Sequence, residues 1–216
     1  MKRWGGQVWG AIAATLVLAL SVPGGVGGCH AGSGGAGPAD ADEAGATSPL
    51  DVDFAIDHVK GDPSAPNVII EYGNFLCGHC ADFFATHLPD VEELVEQHRV
   101  LYVFRHAASA ESASVVAQAA ECAALQDQTL FFPYHDLLFT NSGSVSEDAL
   151  RGYAADLGLD EEAFHECLTT EATADRVTRD VDSARELDVP GSPTFFVNGE
   201  MLAGDDSFES FEELLN

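Results

Sequence analysis

Positive charge is scarce in this sequence. Nine Lys and Arg stand against 36 Asp and Glu, a formal net charge of −27, and Lys2 and Lys60 are its only lysines. A surface this negative repels phosphate, which argues against nucleic acid as a partner and against electrostatic adhesion to anionic lipid. The deficit is uneven, because no acid precedes Asp40; loss of a leader would leave the remainder more acidic still. Acid-rich, lysine-poor composition resembles that of proteins from salt-loving microbes, where concentrated salt screens self-repulsion. An ordinary acidic exported protein carries the same signature. Long apolar runs are also missing: Val8–Val22 is mostly apolar but contains Gly10 and runs into Pro23, too short to span a bilayer comfortably. Cysteine is sparse too, with five in 216 residues.

What is present at the N-terminus reads as an export signal. Lys2 and Arg3 precede the apolar stretch, and Val26-Gly27-Gly28-Cys29 follows it. That tetrapeptide resembles the lipobox of bacterial lipoproteins, which implies cleavage after residue 28 and lipidation of Cys29. An ordinary signal peptide and an uncleaved anchor are the alternatives. Assigning Cys29 to lipid leaves four cysteines, Cys77, Cys80, Cys122 and Cys167, an even number in a compartment where disulfides persist. Residues 29–50 hold almost nothing large and are expected to form a flexible tether. The remaining segment, 51–216, is long enough for one domain with a sizeable core.

Within that segment, Val68–Tyr72 is an apolar strand that leads to Cys77-Gly78-His79-Cys80, and a helical pattern begins at Ala81. A helix N-terminus offers unpaired N–H groups and a positive dipole end, which favour a thiolate on the first cysteine. The competing reading is half of a zinc site, but the sequence has no second Cys-x-x-Cys and offers no evident fourth ligand. Residues 81–98 carry one apolar face, with a kink expected at Pro89. Arg99–Phe104 reads as a second strand, parallel to the first through a right-handed crossover. Helices are expected near 111–125, 128–140, 146–157, 160–168 and 171–187. Strand chemistry returns at Pro193–Val197. Asn198-Gly199 signals a hairpin, Glu200–Leu202 pairs back, and Ser207 caps a closing helix to Leu215.

Two segments carry a resemblance. Gly61–Tyr72 leading into Cys77–Cys80, and Gly191-Ser192-Pro193-Thr194-Phe195-Phe196-Val197-Asn198-Gly199, are similar to the active site and the cis-proline loop of the DsbA-like group of the thioredoxin superfamily, from about Val59 onward. The resemblance implies an α/β thioredoxin fold, a central mixed sheet flanked by helices, with a helical domain inserted at about 109–187. It implies Cys77 as nucleophile, Cys80 as its buried partner and His79 as a stabiliser of the Cys77 thiolate. Pro193 would be cis, not an ordinary trans proline, with Ser192 presenting its backbone to substrate. Glu71 would be a buried acid exchanging protons with Cys80, its pKa raised by desolvation; the alternative is an edge-facing glutamate. Cys122 and Cys167 would form a second, structural disulfide, or remain two buried thiols. Gly78-His79 departs from the oxidase pattern, Pro-His, and matches that of protein disulfide isomerases, which leaves the potential open.

The function so implied is dithiol oxidation of exported cysteine-containing polypeptides, with a membrane redox partner reoxidising the pair and no cofactor beyond it. A reductase or isomerase on the same fold, for example in cytochrome c maturation, and a thiolate metal carrier are the alternatives. His106, His135 and His165 are expected at the surface or as caps. Phe131, Phe132, Tyr134, Leu137, Leu138 and Phe139 are expected to be mostly core.

Overall fold

The computed structural model describes residues 48–108, 111–142, 145–203 and 207–216, with the backbone alone at 111–112. The export signal, Cys29 and nearly all of the expected tether therefore lie outside the described residues. Five strands form one mixed sheet in the order β1-β3-β2-β4-β5. They are β1 His58–Lys60, β2 Asn67–Gly73, β3 Val100–His106, β4 Thr194–Val197 and β5 Glu200–Ala203. β2 and β3 run parallel, while β1–β3, β2–β4 and β4–β5 are antiparallel. β3 is buried at every residue and β2 at all but Val68, as expected of strands covered on both faces.

Alternation along the strands divides the core in two. Ile69, Tyr102, Phe104, Phe195 and Val197 face the larger cluster, with Cys80, Phe83, Phe131 and Phe211 from the helices. Ile70, Tyr72, Leu101, Val103 and Phe196 face the smaller one, against Leu50, Val52, Leu187 and Val189. The helices are α1 Gly78–Thr86, α2 Leu88–Glu96, α3 Glu111–Gln126, α4 Phe131–Thr140, α5 Glu147–Asp156, α6 Glu161–Thr169, α7 Ala174–Glu186 and α8 Phe208–Leu214. The fold class, a thioredoxin-like mixed sheet with a helical insert, is the expected one. The hairpin forms at Asn198 (φ 51°) and Gly199 (φ 89°), the positive φ pair that a two-residue turn of this kind requires. Ser207 accepts from the Ser210 N–H at the start of α8. Of the six apolar residues expected between 131 and 139, Phe131, Tyr134, Leu138 and Phe139 are buried.

Four expectations need correction. The chain at 81–98 is two helices rather than one kinked helix: α1 ends at the His87 cap, and Pro89 sits in the first turn of α2, where its missing N–H costs nothing. β1 was not expected, because His58-Val59-Lys60 has no apolar run; its pairing with β3 creates it. Residues 49 and 50, expected in the tether, are packed against the domain. Leu50 packs on the smaller cluster, and the carbonyls of Pro49 and Asp51 accept from the buried Arg105 guanidinium, the latter at 2.8 Å. Finally, His106 and His135 are buried, at 1% exposure each; only His165 keeps a substantially exposed side chain.

Candidate active site

The site lies where β2 runs into α1. Asn74 shapes the turn between them: its Oδ1 accepts from the Leu76 N–H at 2.9 Å, and its carbonyl accepts from the Cys77 N–H at 2.9 Å. Cys77 occupies the N-cap position of α1 in extended conformation (φ −87°, ψ 122°). Cys80 follows inside the helix and is fully buried, while Cys77 is half-buried; both are free thiols. Opposite them, the Ser192–Pro193 peptide is cis. The Cys77 thiol donates to the Ser192 carbonyl at 3.1 Å, and the Asn74 N–H approaches Cys80 Sγ at 3.4 Å. Thr194 Oγ1 donates to the Gly191 carbonyl at 2.8 Å, which closes the proline loop.

The two sulfurs are driven apart electrostatically. Burial pushes the Cys77 thiol up, but the Cys80 N–H, the Ser192 side chain, the Cys80 thiol and the His79 N–H together favour the thiolate and bring it below the ordinary thiol value. For Cys80, burial is the largest effect and the charge of Glu71 adds to it, so its thiol is held far above that value. The arrangement therefore pairs one sulfur whose thiolate is favoured with one that keeps its proton. His79 contributes to Cys77 through its backbone N–H, and its side chain is exposed.

Glu71 is not at an edge. It lies in the central strand at 2% exposure, on the face of Ile69 that looks toward α1. Tyr102, at 1% exposure on β3, donates to Glu71 Oε2 at 2.6 Å. Gly73 makes room for this carboxylate: a Cβ there would stand 2.7 Å from Glu71 Oε1 and 2.4 Å from Phe104 Cε2. Asn74, Tyr102 and Gly73 were not singled out from the sequence. The Asn-before-Cys turn was the available signal for the first; nothing local marks the other two.

Cys122 and Cys167 are bonded, joining α3 to α6 across 45 residues with a Cα–Cα distance of 5.9 Å. A loop of that length contributes about 4 kcal/mol in the chain-entropy account.

A second buried cluster escaped the sequence reading. Glu121 Oε1 is 2.7 Å from His58 Nε2 and 3.0 Å from His106 Nε2, and Glu121 Oε2 is 2.7 Å from Arg176 Nε. His58 also stacks on Phe131, with ring centroids 3.4 Å apart. The His58, His106 and Glu121 ligand atoms lie within 4.8 Å of one another, close enough to hold a cation. Here, however, both imidazoles converge on one carboxylate oxygen and the Arg176 guanidinium neutralises the other. Charge balance is met by the protein's own groups, and the cluster ties β1, α3, β3 and α7 together.

Residues 55–216 match the family described as Thioredoxin. The chain belongs to the thioredoxin family. Among solved structures, it is similar to Wolbachia pipientis alpha-DsbA1, at 26% identity and TM-score 0.63 over 79% of this chain and 87% of that one. BdbD of Bacillus subtilis shares the fold, at TM-score 0.68 and 21% identity over 75% and 94% of the two chains. The likeness to alpha-DsbA1 groups the chain with the DsbA-like thiol–disulfide oxidoreductases. It is also 39% identical over 166 residues to a Na(+)/H(+) antiporter, NhaA 1, of Salinispora arenicola. That match takes in 75% of this chain but 24% of the antiporter, so the chain spans about a quarter of the length of that relative. Among the described residues, no helix is long and apolar enough to cross a membrane.

Proposed function

We propose that the chain is an exported dithiol oxidase that introduces disulfides into exported cysteine-containing polypeptides. The observation that carries this reading is the split between Cys77, half-buried with its thiolate favoured, and Cys80, buried with its thiol favoured. A stabilised thiolate stabilises the reduced enzyme, and so makes its disulfide a stronger oxidant.

In the oxidised enzyme, a substrate thiolate attacks Cys77 Sγ. The Cys77–Cys80 bond breaks and Cys80 leaves as a thiolate, taking a proton from protonated Glu71. The second substrate thiolate then attacks the substrate sulfur of the mixed disulfide, and Cys77 leaves as a thiolate. The substrate has lost two electrons and the enzyme holds them until a membrane redox partner removes them. Ser192 and Pro193 stand beside Cys77, where an extended substrate chain would pair with exposed backbone as an added strand. The lipobox-like Val26–Cys29 supports tethering through a lipidated Cys29 on the extracytoplasmic side, and the acidic composition supports a high-salt setting.

The test is the reduction potential of the full-length protein against glutathione. A value of about −120 to −180 mV supports the oxidase reading. A value near about −270 mV overturns it in favour of a reductase.

A further inference from the structure

The Cys80 thiol has a buried acid for a neighbour, and that acid is itself gripped by a phenol. Tyr102 reaches from β3 to Glu71 on β2, and its Oη donates to Glu71 Oε2 at 2.6 Å. The pair is buried on the face that carries Cys80. Gly73, two residues beyond Glu71, is the residue whose lack of a side chain leaves the carboxylate its place.

We infer that Tyr102 is a positioning residue of the redox site, holding Glu71 in place and setting the pH at which Glu71 exchanges its proton with Cys80. A hydrogen bond donated to a carboxylate favours the ionised form and so strengthens the acid. Tyr102 can serve as a donor across the working range because burial first, and then the charge of Glu71, keep the phenol protonated. Among the described residues, the titratable groups acting on Tyr102 and Cys80 besides Glu71 include Cys80 and Cys77 from the α1 end, and Asp136 of α4, whose charge reaches Tyr102. On β4, the residue opposite Glu71 is Phe195, which does not titrate. The inference rests on the proposed role of Glu71 as proton donor to Cys80.

The experiment follows the Glu71 carboxyl by 13C NMR in the full-length protein, its resonance assigned by loss in Glu71→Gln, alongside the pH profile of thiol–disulfide exchange with a model dithiol. Tyr102→Phe is expected to raise the Glu71 midpoint by about one pH unit and to move the exchange profile upward with it. The profile of Tyr102→Phe/Glu71→Gln should match that of Glu71→Gln. Replacing the tyrosines with fluorotyrosine, a stronger donor, is expected to lower the midpoint, and this arm decides the matter if Tyr102→Phe does not fold. An unmoved midpoint in Tyr102→Phe, with only melting temperature reduced, overturns the inference. If the midpoint moves as expected while Glu71→Gln leaves exchange unchanged, the control of Glu71 by Tyr102 stands and the proton-donor role of Glu71 in the proposed reaction falls.

Discussion

The chain's two described cysteine pairs have the same chemistry and opposite environments. Cys77 and Cys80 sit at a helix N-terminus, with one sulfur half-buried and the other sealed beneath it. Cys122 and Cys167 are both buried, on facing helices α3 and α6, and are bonded to each other. At the first pair, backbone N–H groups and the Ser192 side chain pull one thiol down, while burial and the charge of Glu71 push the other up. At the second, the bridge closes a long loop inside the core. The comparison teaches that a cysteine becomes reactive or inert through its access to solvent and the dipoles aimed at it.

The largest effect expected from breaking the comparison is chemical. Cys77→Ser should reduce disulfide donation to background in a reduced-RNase oxidation assay, with the melting temperature little changed. Next comes Cys122→Ser/Cys167→Ser, which should cost about 4 kcal/mol of stability, a fall of roughly 8–16 °C in melting temperature. Exchange at Cys77 below that temperature should survive; its loss would mean that the two pairs are coupled.

Acid sharpens the comparison at the inert end, because Glu121 adjoins Cys122. Burial opposes ionisation of Glu121, but the hydrogen bonds and charges of His106 and His58 outweigh it and hold its pKa well below the ordinary 4.5. His58 is lowered from 6.5, chiefly by burial. Both groups bind more protons unfolded than folded, so both contribute stability that is lost as pH falls, His58 from about 6.5 downward and Glu121 from about 4.5 downward. Thermal melts from pH 7 to 3 should show a monotonic decline, flatter in Glu121→Gln; a rise on acidification would refute this. The smallest effect is expected from Ser192→Ala, a slight upward shift in the pH midpoint of Cys77 alkylation by iodoacetamide, with Cys80 unreactive until the protein unfolds.

Much of the backbone around Cys77, Cys80 and Pro193 was legible because its causes are local. A cysteine before a helical pattern, a turn of Asn198-Gly199 and a Ser-Pro step opening a strand are each written in adjacent residues, and caps, φ signs and helix dipoles act over one turn. The break at His87 was only half legible: Pro89 announced a disturbance, but a continuous kinked helix and two abutting helices share that signal. Lys60 and His58 hid β1 altogether, since three residues without alternation cannot announce a strand whose stability comes from its partner.

The strand–helix order, the spacing of the redox cysteines and the sign of the surface charge thus belong to the chain's own residues, because propensity, turn geometry and charge count need no distant partner. Burial of charge is different. Glu71 fits a buried place and an edge-facing one equally until β2 takes the centre of the sheet with Tyr102 beside it. His58, His106, Glu121 and Arg176 read as four ordinary polar residues until β1, β3, α3 and α7 bring them into one largely buried cluster. Desolvation depends on which elements become neighbours, and that information is spread over more than a hundred residues.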